Sequence, residues 1–213
     1  MTLTKILLAS SPLALAMPVV TGVRFFRRFS VPYKIISIQV FGAALAEMIC
    51  YILWWYKRNN LFVFPFFTLW EFEMISAFYF FLLKGAHIRR IILVLMTLFA
   101  LLTIADIYIV NGLRHFNNYS RSVESIVVIG YTIGYFYKVL SEMVVEQPVK
   151  EPSFWISIAF LIYFSGSLFL FIFGDYIIHH SFKTYGIYWG LHAIIMWILY
   201  SMIAIGLWCK SKA

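Results

Sequence analysis

Charge is what this 213-residue chain has least of. Asp, Glu, Lys and Arg together make up 12% of it, where a soluble domain carries about 25%. Apolar residues make up 63%, and mean hydropathy is +0.88. That balance excludes a soluble globular protein, a disordered chain and an extended coiled coil. Cysteine is scarce as well. Cys50 lies inside an apolar run and Cys209 near the C-terminus, a placement that gives no disulfide framework. There is no low-complexity segment, no soluble domain and no lipidation signal. No polar stretch exceeds about a dozen residues, within the usual range for connections. What remains is an all-α, polytopic membrane protein, a single transmembrane domain over residues 1–213.

Seven apolar segments fill the chain, at 6–23, 33–55, 61–83, 91–110, 122–145, 154–177 and 185–208. A helical span needs about 20 residues, and most of these reach that length. A transmembrane β-barrel would need shorter strands of alternating polarity. These runs are continuous, so a seven-helix bundle is predicted. The breaks carry charges or helix breakers: Arg24-Phe25-Phe26-Arg27-Arg28, Lys57-Arg58-Asn59-Asn60, Lys84-Gly85 and Gln147-Pro148. The first segment has two readings. Lys5, an apolar run and Ala14-Leu15-Ala16 imitate a secretory signal. The apolar residues continue to Val23, which favours a retained helix kinked at Pro18.

Seventeen Lys and Arg face nine Asp and Glu, a net charge of +8. Basic chains often bind nucleic acid. Here the cations sit between apolar runs, where they orient helices and meet anionic lipid, so no nucleic-acid partner is expected. Lys5, Lys57, Arg58, Arg114, Arg121 and Lys183 fall on one side. Arg24, Arg27, Arg28, Lys34, Lys84, Arg89, Arg90, Lys150, Lys210 and Lys212 fall on the other, with Lys138 inside the fifth segment. Six against ten places the N-terminus outside and the C-terminus in the cytoplasm. A bacterial inner membrane is the expected location.

Seven of the nine acids lie within or at the edges of apolar runs: Glu47, Glu71, Glu73, Asp106, Glu124, Glu142 and Asp175. Such groups are costly in hydrocarbon and mark functional sites. In the fifth segment Glu124, Tyr131, Tyr135, Lys138 and Glu142 follow spacings that put all five on one helical face. The stripe reads as the lining of a ligand cavity or proton path. It reads equally as a bundle-facing stripe in which Lys138 pairs with Glu142 and the tyrosines bond across helices. Glu71 and Glu73 point about 200° apart on a helix, so they form no dyad on one face. One of them binds a ligand or proton, or both bond neighbouring helices. Glu47 follows Gly42-Ala43-Ala44-Leu45-Ala46, small residues that admit a neighbouring helix, and it either bonds that neighbour or serves the function.

Under the assigned orientation Asp106, Glu124, Asp175 and His192 lie in the outer parts of their helices, and His115, His179 and His180 in outer loops. Carboxylate with imidazole suits zinc or another divalent metal, with Asp106, Asp175 and His192 as candidate ligands. The spacing is not diagnostic, because neither H-x-x-x-H nor H-E-x-x-H is present. A wet network at the helix ends is the alternative, and His192 beside a carboxylate would also sense pH. Most of the seven tryptophans fall near segment ends, as in an aromatic belt. Trp70, in the middle of the third segment, either packs or walls a pocket for a lipid or chromophore. No lysine lies within the seventh segment, so a retinal Schiff base is not expected.

The stretch 122–171 resembles an uncharacterised group of short bacterial seven-helix membrane proteins. The resemblance rests on Ser122-Val123-Glu124-Ser125-Ile126, Glu151-Pro152-Ser153-Phe154-Trp155-Ile156 and Ile162-Tyr163-Phe164-Ser165-Gly166-Ser167-Leu168-Phe169-Leu170-Phe171. Members of such groups accompany sensor histidine kinases, so the resemblance implies signalling and transfers no catalytic residue. The leading expectation is a non-enzymatic sensor or receptor-like module that needs no cofactor. A small apolar or amphiphilic ligand would enter a cavity between the second, third, fifth, sixth and seventh helices. Glu71, Glu73, Glu124, Tyr131, Tyr135 and His192 would line it. Basic cytoplasmic loops at 24–34 and 84–90 would meet lipid headgroups or a signalling partner protein. Two other readings share these features. One is a small proton-coupled transporter using Lys138 and the buried carboxylates. The other is a metal-dependent membrane hydrolase using Asp106, Asp175 and His192.

Overall fold

The computed structural model describes residues 13–110, 118–141, 148–180 and 182–212, and within them the side chains of 13–109, 118–141, 148–172, 187 and 190–210. Among the described residues there is no strand. Seven α-helices follow in order: α1 (Ala16–Phe25), α2 (Val31–Trp55), α3 (Val63–Leu82), α4 (Ala86–Ala105), α5 (Asn118–Ser141), α6 (Pro152–His180) and α7 (Phe182–Lys212). They coincide with the seven apolar segments, of which 6–12 lies outside the described residues. Five helices are long and apolar enough to cross a membrane: α2, α4 carried on to Ile109, α5, α6 over Pro152–Ile172 and α7 over Gly190–Lys210. Glu71 and Glu73 lower the hydropathy of α3. The ten residues of α1 span ~15 Å, short of a bilayer core.

The helix ends follow from local chemistry. Pro32 sits in the first turn of α2, where its missing N–H is no loss. The far end of α2 closes in a Schellman turn. Lys57 takes a positive φ of 52°, the Lys57 N–H bonds the Trp54 carbonyl at 3.0 Å, and the Arg58 N–H bonds the Leu53 carbonyl at 2.8 Å. The Asn59 side chain then accepts from the Leu61 N–H at 2.9 Å, turning the chain into α3. Pro18 cannot donate to the Ala14 carbonyl, and the helix is interrupted at Leu15, which precedes α1. Leu15 itself keeps right-handed helical dihedrals. After Ala105 the coil widens into a π turn over Asp106–Val110.

The chain divides into two compact units, and the boundary falls within α5. Residues 30–124 form one, with α2, α3, α4 and the first turns of α5. Here α2 packs along α3, and α3 against α4. Ile36, Val40, Phe72, Ile75, Phe78 and Phe99 are buried, and the Phe72 and Phe99 rings stack at 3.9 Å. The other unit holds α1, the rest of α5, α6 and α7. Its main contact is α6 on α7, brought close by glycine. A Cβ on Gly206 would lie 2.9 Å from both the Pro152 carbonyl oxygen and the Ile156 side chain. Phe25 of α1 meets Trp208 of α7 edge-on at 6.0 Å.

Polarity runs opposite to that of a water-soluble fold. Leu93, Val94, Leu98 and Leu101 of α4 face outward, while Thr103 and Asp106 are buried. Buried hydroxyls bond their own helix, as Ser37 does with the Tyr33 carbonyl at 2.9 Å and Thr103 with the Phe99 carbonyl at 3.0 Å. This suits a hydrocarbon surrounding, which tolerates apolar surface and requires polar groups to be satisfied internally.

Two substitutions test this account with opposite signs. Lys57→Gly removes the left-handed strain of a side chain and should stabilise the chain by about 1 kcal/mol. Gly206→Val forces the α6–α7 contact apart and should cost about 1–3 kcal/mol. Unfolding titrations in mixed micelles read both.

Candidate functional site

The first turns of α5 carry Arg121 and Glu124 three residues apart, hence on one face. In the 30–124 unit that face meets α3. The Arg121 guanidinium donates to Glu71 of α3 at 3.2 Å and lies 3.9 Å from Glu124. Gln39 of α2 donates through Nε2 to the other oxygen of Glu71 at 3.2 Å. Side-chain exposure is 6% for Arg121, 3% for Glu71 and 0% for Glu124. Both oxygens of Glu71 are thus engaged. Among the described residues neither oxygen of Glu124 accepts a hydrogen bond, nor does Oε1 of Gln39. The charge on Arg121 also reaches Glu47 of α2. One cation serves several carboxylates in a medium of low dielectric, where Coulomb interactions are strong and unpaired charge is expensive.

The guanidinium lies over the Phe67 ring, 5.5 Å from its centre. Phe67 is also a wall of a groove between α2 and α3 with a volume of about 340 Å³. Gly42, Leu45, Ala46 and Ile49 line it from α2, and Val63, Phe66, Phe67 and Trp70 from α3, with Phe62 just before α3. Trp70 is folded over Gly42, so a Cβ there would collide with the indole. At Gly42 it is this indole that α3 seats against α2, and a groove is left beside it. The lining is apolar and several of its members, including Leu45, Phe66 and Trp70, are exposed on their outer sides. A volume of this size falls at the lower end of small-molecule sites.

The other expected residues are distributed as follows. Glu71 is buried and Glu73 half-buried, as their opposed directions require. Glu47 is half-buried. Asp106, in the π turn, accepts from the Ser120 hydroxyl at 2.7 Å. Along α5, Glu124, Tyr131 and Tyr135 are all buried and Lys138 is half-exposed, while Glu142 lies outside the described residues. Tyr135 shares a hydrogen bond of 3.0 Å with Ser153, and Phe136 meets Phe154 edge-on at 5.8 Å. The six residues expected to line one cavity belong to both units: Glu71, Glu73 and Glu124 to one, Tyr131, Tyr135 and His192 to the other. None of them lines the groove. His192 stands between the rings of Tyr163 and Phe171, at 6.0 and 6.1 Å. The side chain of Asp175 lies outside those described. Among the described residues no three of His, Cys, Asp and Glu come together as a metal site.

Arg121 corrects the sequence reading, which placed it in an outer loop. It is a buried residue of α5, because Glu71 and Glu124 neutralise it there. The R-x-x-E spacing is visible in the sequence and signals this pairing. Gln39 had no such signal. No family model matches the chain, and neither does any curated protein or solved structure.

Removing the shared cation should be the costliest single change in the unit. Arg121→Ala leaves the buried Glu71 carboxylate without its counter-ion and should destabilise by about 3–5 kcal/mol. Lys138→Ala, at a half-exposed position, should stay within about 0.5 kcal/mol. Unfolding midpoints of the two variants, measured side by side, check the contrast.

Proposed function

We propose that this chain is a multi-pass membrane sensor module, without enzymatic activity, that takes a small apolar or amphiphilic ligand in the α2–α3 groove. The observation that carries this reading is the shared residue Phe67. One side of its ring walls the groove, and the Arg121 guanidinium lies over it. A ligand that displaces Phe67 or Trp70 changes the surroundings of the buried charge cluster. Binding at an apolar surface is thereby converted into an electrostatic rearrangement, as a sensor requires.

The groove chemistry favours a hydrocarbon chain or a flat apolar molecule, since its lining offers no charged side chain. A polar headgroup would remain outside, at the exposed edge of the groove. In this reading the apolar segment 6–23, to which α1 belongs, and α3 complete seven spans with the five long apolar helices. With Arg121 removed from the loop cations, the margin becomes five against ten. It keeps the N-terminus outside and the C-terminus in the cytoplasm of a bacterial inner membrane. The basic loops at 24–34 and 84–90 then face anionic lipid and a signalling partner protein.

Titration of the purified protein in neutral detergent with a brominated fatty acid tests the site through tryptophan fluorescence. Quenching should saturate, weaken in Trp70→Phe and disappear in Ala46→Phe, which fills the groove. At a hundred times its Kd the acid should stabilise the fold by about 2.7 kcal/mol. Linear, unsaturable quenching that is the same in all three proteins would reject the groove as a binding site.

A further inference from the structure

Glu124 stands apart from every other acid in the 30–124 unit. Its side chain has 0% exposure, and among the described residues neither of its oxygens has a hydrogen-bond donor. The charged groups to consider around it among the described residues are these. Arg121 lies on its own helix at 3.9 Å. Glu71 faces it from α3 and interacts with it electrostatically. Glu47, on α2, is within reach of the Arg121 charge. Asp106, beyond α4, is occupied with Ser120. Arg121 is closer to Glu71, at 3.2 Å, and Gln39 takes the remaining oxygen of that carboxylate.

Two buried carboxylates therefore share one guanidinium, and only one of them is hydrogen-bonded. With both ionised, the cluster holds an excess negative charge in a low-dielectric setting, and the charge on Glu124 has no donor to stabilise it. Among the described residues neither oxygen of Glu124 receives a hydrogen bond, nor does Oε1 of Gln39. A metal cation fits poorly here, because the guanidinium already holds the position between the carboxylates and would repel it. No third His, Cys, Asp or Glu joins them among the described residues. A proton on Glu124 removes the excess negative charge without bringing a second cation into the cluster.

We infer that Glu124 is a proton-binding site, and that the resting cluster is the neutral set of Glu71 carboxylate, Arg121 guanidinium and Glu124 carboxylic acid. Departure of the proton leaves two carboxylates competing for Arg121. The guanidinium then shifts towards Glu124, its bond to Glu71 loosens, and the link between α3 and α5 is remade. Proton occupancy of Glu124 thus sets which helix holds Arg121. This stands independently of any ligand in the groove.

Infrared spectroscopy of the full chain in phosphatidylcholine vesicles reads the protonated acid directly. At neutral pH the wild type should show a carboxylic C=O stretching band that shifts in D2O. Glu124→Gln should remove an intensity equal to one acid per chain, and Glu73→Gln should leave that intensity in place. The carboxamide introduced by Glu124→Gln brings N–H donors of its own, so that variant should fold at least as well as the wild type. Glu71→Gln gives a second route. Arg121 is then left to Glu124, which ionises, and the same intensity should be lost although Glu124 is present. Absence of the band from the wild type, or its survival in both variants, would overturn the assignment.

Discussion

A guanidinium buried among apolar helices has to be answered by carboxylate, and much of the arrangement of residues 30–124 follows from that requirement. Arg121 lies in the first turn of α5 and draws Glu71 of α3 to 3.2 Å. Gln39 of α2 completes the coordination of Glu71. Three helices are thus tied through one charge. Replacing such a set by apolar residues is often harmless to stability, whereas breaking it is costly. Its presence is therefore weak evidence for added stability.

The groove and the charge cluster are two sides of the same packing. α2 offers the small residues Gly42 and Ala46 where it packs on α3. Trp70 folds into the space over Gly42, and the remainder stays open to the outside. On the inner side, Thr68, Glu71 and Phe72 of α3 are buried. Phe67 belongs to both environments, with its ring in the groove wall and its face under Arg121. Through that one side chain the apolar groove adjoins the buried charge.

The second unit relies on a different device. Between α6 and α7 no buried charge pair is found among the described residues, and closeness comes from glycine. Gly206 lets α7 approach the Pro152 carbonyl, and Gly166 makes room for Ile195. In hydrocarbon, close packing of small residues replaces the hydrophobic drive that water would supply. Gly130 and Gly134 of α5 have nothing within 4 Å of a built Cβ, so the presence of a glycine alone does not reveal which helix face packs.

The apolar runs by themselves determined the helices. Hydrocarbon solvent forces every backbone polar group to pair within its own segment, so continuous apolar stretches fold as helices whatever surrounds them. Local spacing also determined the burial of Glu124, Tyr131 and Tyr135 on one face of α5 and the opposed directions of Glu71 and Glu73, because helical periodicity is a property of the chain alone. Tertiary structure decided the rest. A loop cation and a buried cation look alike at the end of an apolar run, and Arg121 became the second only when α3 presented Glu71. Gln39 carried no signal at all, since its role depends on a residue 32 positions away. The groove at Trp70 likewise needed the register of α3 against α2, which no periodicity within either helix contains.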